Sequence, residues 1–353
     1  MRVYLENRFL ASDLHSRGVP PVVYRAAEGH NMNRRRCNLV AVRWRAAALC
    51  TLALTLGCHP AIKPVAPESP SAGRMEELWR EPPANRDLFG GVGGAAQAPN
   101  PADRYKVIAV KDTGFSDGYT VSDSRGRKWS AKFPPEAQAE VVASRLFWGL
   151  GFHQVPEYLL PKWNAEEALE PNPQRPARFR SKDILVEGAA LKEGEAWSYY
   201  QNPFVGSRQL AGMIVLHVML GNSDLKDEQN VIYSLDRPID GARVWYVARD
   251  LGHSFGRSGL IDAPRNDIEA FEKTKFITGV ENGIVKFDFH GRHGALVERI
   301  TPADVRWICS RLNALSDRQW RDAFRAGAYD SALAARFISR MKQKIAEGLS
   351  LPN

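Results

Sequence analysis

Asn222-Ser223-Asp224-Leu225-Lys226-Asp227-Glu228-Gln229-Asn230 follows a nearly all-apolar helical stretch, Ser207 to Leu220. About twenty residues on, an apolar strand (Val244, Tyr246, Val247, Ala248) delivers Asp250-Leu251-Gly252. The helix carries Leu210, Met213, Ile214, Leu216, Met219 and Leu220 at helical spacing and reads as a core helix of a helix-rich lobe. Upstream, YKVIAVKDTGFSDGYTVSDSRGRKWSAKF clusters β-formers at Val107 to Val110, Tyr119 to Val121 and Lys128 to Phe133, separated by turns at Gly114 to Gly118 and Asp123 to Gly126. Three antiparallel strands follow from this. Pro135 to Leu150 then carries Val141, Val142, Leu146, Phe147 and Leu150 at helical spacing. Lys132 ends the third strand and Glu140 lies on that helix, where an ion pair would orient the lysine. Beyond Asn230 come short strands, Asn230 to Ser234 and Val244 to Ala248, and helices at Pro302 to Leu315, Asp317 to Ala326 and Ser331 to Gly348.

Phosphoryl transfer is mostly positioning and charge neutralisation. It uses a lysine for phosphates, a carboxylate near the acceptor, and an amide plus a carboxylate for Mg²⁺. With these residue types in this order, the chain resembles the protein-kinase-like superfamily, including its divergent HipA-like, secreted Fam20-like and spore-coat CotH-like members. The resemblance implies an α+β, bilobal fold: a small antiparallel-sheet lobe over about 104–160, a helical lobe over about 183–353, and a site between them. It assigns Lys132 and its partner Glu140 to the nucleotide, Asp224 and Lys226 to catalysis, and Asn230 and Asp250 to the metal. The implied cofactor is ATP or another nucleotide with Mg²⁺ or Mn²⁺, and the acceptor is an unidentified protein or small molecule. Three features depart from the family. Asp224 to Asn230 spans six positions rather than five, Asn222 replaces the histidine of HRD, and the first turn lacks GxGxxG. The insertion could move the amide off the metal. A catalytically silent binding or scaffold module is therefore the second reading, and nucleotidyl transfer with the nucleotide reversed is a third.

Met32-Asn33-Arg34-Arg35-Arg36 followed by the uncharged run Ala46 to Gly57 reads as a signal peptide over 32–57, too short for a spanning helix. Thr55-Leu56-Gly57-Cys58 resembles a bacterial lipobox, which implies lipidation at Cys58, membrane attachment, and a place in the cell envelope on the periplasmic or outer-membrane face. The chain is also similar to a family of bacterial lipoproteins whose loop reads NNWDLK followed by N. Residues 1–31 read as an unstructured or mis-started extension. The Pro/Ala/Gly-rich stretch 58–103 reads as a semi-extended tether ahead of a domain at 104–353.

Of the formal net charge of +8, Met1 to Gly57 contributes +6, from nine Arg against three acidic residues. The remainder is nearly balanced, so no nucleic-acid partner is expected. With Cys58 acylated, Cys309 has no partner and reads as a small buried apolar residue on a helix. A monomer is expected. His217 reads as a core histidine able to brace the loop, His253 as a residue that orients the turn after Asp250, and His290 with His293 as a polar loop rather than a zinc site.

Overall fold

The computed structural model describes residues 72–111, 115–166, 175–259 and 263–352. The signal peptide, Cys58, the extension before them, the tether up to residue 71 and Gly114 lie outside these residues.

The first lobe is built on β1 (Arg104–Lys111), β2 (Gly118–Ser122), β3 (Lys128–Lys132), β4 (Glu157–Leu160), β5 (Asn164–Ala165) and β6 (Ala177–Ser181). Their order in the sheet is β4-β6-β3-β2-β1-β5, antiparallel except for the short β1–β5 pair. Along β3, Trp129 and Ala131 are buried while Ser130 and Lys132 are only half-buried. Alternation thus sends the bulky residues into a core with Tyr119, Phe133 and Phe179, and turns Lys132 to the opposite face. Helix α1 (Glu136–Gly149) is buried on nearly every side. Its Val141 packs on Leu159 of β4, while Val142, Leu146 and Phe147 join the core of the second lobe.

That lobe holds a four-stranded antiparallel sheet, ordered β10-β9-β8-β7, from β7 (Ile184–Val186), β8 (Ala189–Ala196), β9 (Val231–Ile239) and β10 (Ala242–Val247). The two short strands expected at 230–234 and 244–248 are parts of β9 and β10. Strands β7 and β8 gave little sequence signal, because β8 buries only Ala189 and Leu191 and otherwise carries exposed residues such as Lys192 and Glu193. The core helix α2 (Arg208–Met219) starts where the Ser207 hydroxyl accepts the Leu210 amide proton. After it come α3 (Ile268–Lys273), a hairpin of β11 (Ile277–Glu281) and β12 (Ile284–Phe287), α4 (Pro302–Asn313), α5 (Asp317–Ala326) and α6 (Ser331–Leu349). Thr301 and Ser316 form capping boxes that start α4 and α5. Buried Lys344 of α6 donates to the Met219 carbonyl at the end of α2, tying the last helix to the loop that leaves the core helix.

The tether reading fails for its described part. Leu78, Leu88 and Val92 are buried, and the segment is fixed along the back of α1. Trp79 Nε1 donates to the Leu150 carbonyl, the Arg86 guanidinium to the Trp148 carbonyl, and Tyr158 Oη to the Val92 and Gly94 carbonyls. Gly151, with φ 102°, permits this approach, since a Cβ there would lie 2.1 Å from the Arg80 carbonyl oxygen. Composition misled because a few isolated apolar side chains suffice when the rest of the domain supplies the partners.

Candidate active site

Between the sheet face of β1–β3 and β6 and the loop after α2 lies a cavity of about 550 Å³. Eight basic side chains line it against four acidic ones. Such a surplus suits a polyanionic ligand.

Lys132 sits at its centre. Its Nζ is 2.8 Å from Glu136 Oε2, 3.1 Å from Glu140 Oε2 and 3.4 Å from Asp250 Oδ1. Glu140, fully buried on α1, also faces Arg178 Nη2 at 3.2 Å and Arg180 Nη1 at 3.8 Å from neighbouring β6. Neither Glu140 oxygen has a partner in hydrogen-bond alignment, so charge holds this carboxylate. Burial works against the charge on Lys132, but Glu140, Asp250 and Glu136 outweigh it and raise its pKa. Burial likewise pushes the Asp250 carboxyl up, yet Lys132, Arg180 and Arg178 hold it well below the usual carboxylate range. Asp250 is ionised, and it stands in the left-handed region with φ 54°, which short polar side chains tolerate better than others.

Across the cavity, Asp224 accepts from Lys226 Nζ at 2.8 and 2.9 Å and from Gln229 Nε2 at 3.0 Å. Arg292 Nε lies 3.9 Å away, and its backbone N–H donates to the Ser223 carbonyl. The loop is braced from behind. Asn222 Oδ1 accepts the Asp224 amide proton, Asn222 Nδ2 meets His217 Nδ1 at 3.2 Å, and His217 Nε2 meets Tyr199 Oη at 3.1 Å. Burial lowers the His217 pKa to about 3, so the ring is neutral and bonded at both nitrogens. His253 is buried rather than exposed and contacts Ser223 Oγ at 3.3 Å. His290 is exposed on its loop, with Nε2 3.4 Å from Asp288 Oδ1.

The structure brings Lys132, Asp224, Lys226 and Asp250 to line this one cleft, with Glu140 buried behind Lys132, but not Asn230. Its buried amide donates to the Trp197 carbonyl and does not line the cavity. Gln229 lines the cavity instead, five positions after Asp224, and its Oε1 is buried without a hydrogen-bond partner. The short 3-10 turn Asp227–Gln229 absorbs the extra residue and rotates Asn230 into the interior. Gln229, not Asn230, presents its amide to the cavity. An amide oxygen left buried and unbonded fits a cation, because orphaned buried acceptors are costly. Among the described residues no group of three His, Cys, Asp or Glu could cage a metal alone. Asp250 and Gln229 fit a Mg²⁺-type ion that takes its other ligands from phosphate and water.

Other lining residues were missed in the sequence. Arg178 and Arg180 share a face of β6 at two-residue spacing, and Glu136 stands one helical turn before Glu140. Arg265 ion-pairs with Glu136 and stacks on Phe115, closing the mouth next to the β1–β2 turn.

A lysine on the third strand, an acid on the next helix, an aspartate in the loop after a core helix and a second after a hairpin follow the order of a protein-kinase-like chain. The fold is α+β, a six-stranded sheet with one helix followed by a four-stranded sheet and helices. No protein-family model and no curated protein matches the chain. Among solved structures it is similar to a Helicobacter pylori proinflammatory kinase, CtkA, at 10% identity over 70% of this chain and 97% of that one, with a TM-score of 0.42. It is also similar to the golgi casein kinase, at 13% identity over 71% of each chain, with a TM-score of 0.37.

Proposed function

We propose that the chain is a metal-dependent phosphotransferase that moves a phosphoryl group from a nucleotide to an acceptor hydroxyl. The observation that carries this reading is that one cationic cavity gathers the Lys132–Glu140–Asp250 cluster on one side and Asp224 on the other. Asp250 and the Gln229 amide oxygen would hold Mg²⁺ or Mn²⁺, which neutralises phosphate charge when bound. Asp224 would orient the acceptor hydroxyl and take its proton as the oxygen–phosphorus bond forms and the bond to the leaving phosphate oxygen breaks. Lys226 and Gln229 fix the carboxylate for that task.

A silent scaffold remains the second reading, favoured by one observation. Lys132 is surrounded by as many carboxylates as its ammonium has protons. Melting the full chain with ATP, with and without Mg²⁺ or Mn²⁺, separates the two. The phosphotransferase reading expects metal-dependent stabilisation of about 2.7 kcal/mol at a nucleotide concentration 100 times Kd, lost on chelation and in Asp250→Asn. No shift with either metal would leave the scaffold as the better account.

The proposal places this activity at the bacterial envelope, with the domain tethered through Cys58, as the charged n-region and apolar run suggest. Cys58→Ser is expected to release the protein from membranes of an expressing bacterium. Retention after a high-salt wash would mean the apolar run is an uncleaved anchor.

A further inference from the structure

We propose that Lys111, rather than Lys132, is the lysine that grips the polyphosphate chain in this cleft, an inference that rests on reading the cleft as a nucleotide site. Three carboxylates enclose Lys132, and two of them are themselves anchored: Glu140 by Arg178, and Glu136 by Arg265. Reaching a phosphate would cost Lys132 at least one of these contacts.

Register supplies the alternative. Lys111 pairs with Gly118, Gly118 with Lys132, and Lys132 with Arg178, so these four residues form one row across β1, β2, β3 and β6. Residues in such a row project from the same sheet face, and all four line the cavity. The row is therefore a cationic ceiling with a gap at Gly118. A Cβ added there would lie 2.3 Å from the Ala131 carbonyl oxygen, so this gap between the two lysines cannot be filled without moving backbone. Two strand spacings, about 10 Å, separate the lysine positions.

Lys111 is also the cavity cation without an ion-pair partner among the described residues. Among the described residues no carboxylate lies in ion-pair contact with it, whereas Arg249 holds Glu193 and Lys226 holds Asp224. Burial lowers its pKa, and Arg178, Arg180 and Lys182 lower it further against the opposing charge of Asp250. A bound polyanion would relieve that repulsion. The first turn lacks a glycine-rich loop to wrap phosphates with backbone amides, and a lysine at the end of β1 supplies charge to the same end of the cleft.

The test titrates the full chain and its Lys111→Met and Lys111→Arg variants with MgATP, inorganic tripolyphosphate and adenosine. Lys111→Met is expected to weaken ATP and tripolyphosphate about tenfold, the size of one charge-assisted contact, and to leave adenosine unchanged. Lys111→Arg should recover most of the loss. Affinities within twofold of the parent, or an equal loss for adenosine, overturn the assignment while the nucleotide reading survives. If the parent chain binds tripolyphosphate in a Lys111-dependent way but no nucleotide, the grip stands and the nucleotide reading falls. Binding of neither ligand sinks both.

Discussion

Asp224→Asn is expected to cut phosphoryl transfer at least 100-fold, and up to about 10⁴-fold, while nucleotide affinity stays within about threefold of the parent. The asymmetry follows from where the carboxylate sits. Its charge is matched by Lys226 and lies across the cavity from the Lys132 and Asp250 cluster, so a bound nucleotide would depend on it only through Gln229, whose amide N–H it accepts. The acceptor proton, in contrast, would go to Asp224, since Glu136 and Asp250 are ion-paired with Lys132 and Asp250 is ionised below the range of a working base. Asparagine preserves shape but turns one acceptor into a donor facing Lys226 or Gln229, both already donors. Both kcat and kcat/KM should therefore fall together, the signature of an interaction made in the transition state. Measured with radiolabelled nucleotide against autophosphorylation or any acceptor found, turnover within tenfold of the parent would remove Asp224 from the chemistry.

Much of this arrangement was legible in the chain, and the reasons differ from residue to residue. Lys132, Glu140, Asp224 and Asp250 were readable because each sits at a fixed place on an element with strong periodicity: the end of β3, the buried side of α1, the exit of α2 and the end of the β9–β10 hairpin. Helices α4, α5 and α6 were readable for the same reason, with Thr301, Ser316 and Asp330 capping their starts. Asn230 was expected in the cleft, where Gln229 stands, because residue type outweighed spacing. Five positions after Asp224 stands Gln229, and a strict count would have preferred it to Asn230. Arg178 and Arg180 were hidden for another reason. A single short strand beside a proline-rich stretch shows no face of its own until β3 and β4 flank it. Segment 75–103 could not be read from composition, since Leu78, Leu88 and Val92 find their partners more than fifty residues away in sequence.

Glu140→Ala is expected to destabilise the folded chain by about 3–5 kcal/mol, the penalty of leaving buried cations without their shared anion. Glu140 is the only carboxylate that Lys132 and Arg178 share among the described residues, and both cations are themselves largely out of water. Arg180 keeps Glu157 at 3.0 Å after the change, and Lys132 keeps Glu136 and Asp250, so Arg178 is the charge left most exposed to the penalty. Burial raises the pKa of Glu157, and the Glu140 charge raises it further. Removing Glu140 thus relieves one repulsion and keeps the loss nearer the lower bound. Urea unfolding is the measurement, with a lowered midpoint and an unchanged slope as the expected result. Glu136→Gln is the comparison: Lys132 retains two carboxylates there and the Gln oxygen still accepts from Lys132 or Arg265, so a smaller loss of about 1–3 kcal/mol is expected. If Glu140→Ala costs no more than Glu136→Gln, the cluster is a set of loosely coupled charges. It would not then be the element that fixes α1 against the sheet. A loss several times larger in Glu140→Ala, together with weakened nucleotide binding, would tie the stability of the first lobe to the geometry of the site through this one carboxylate.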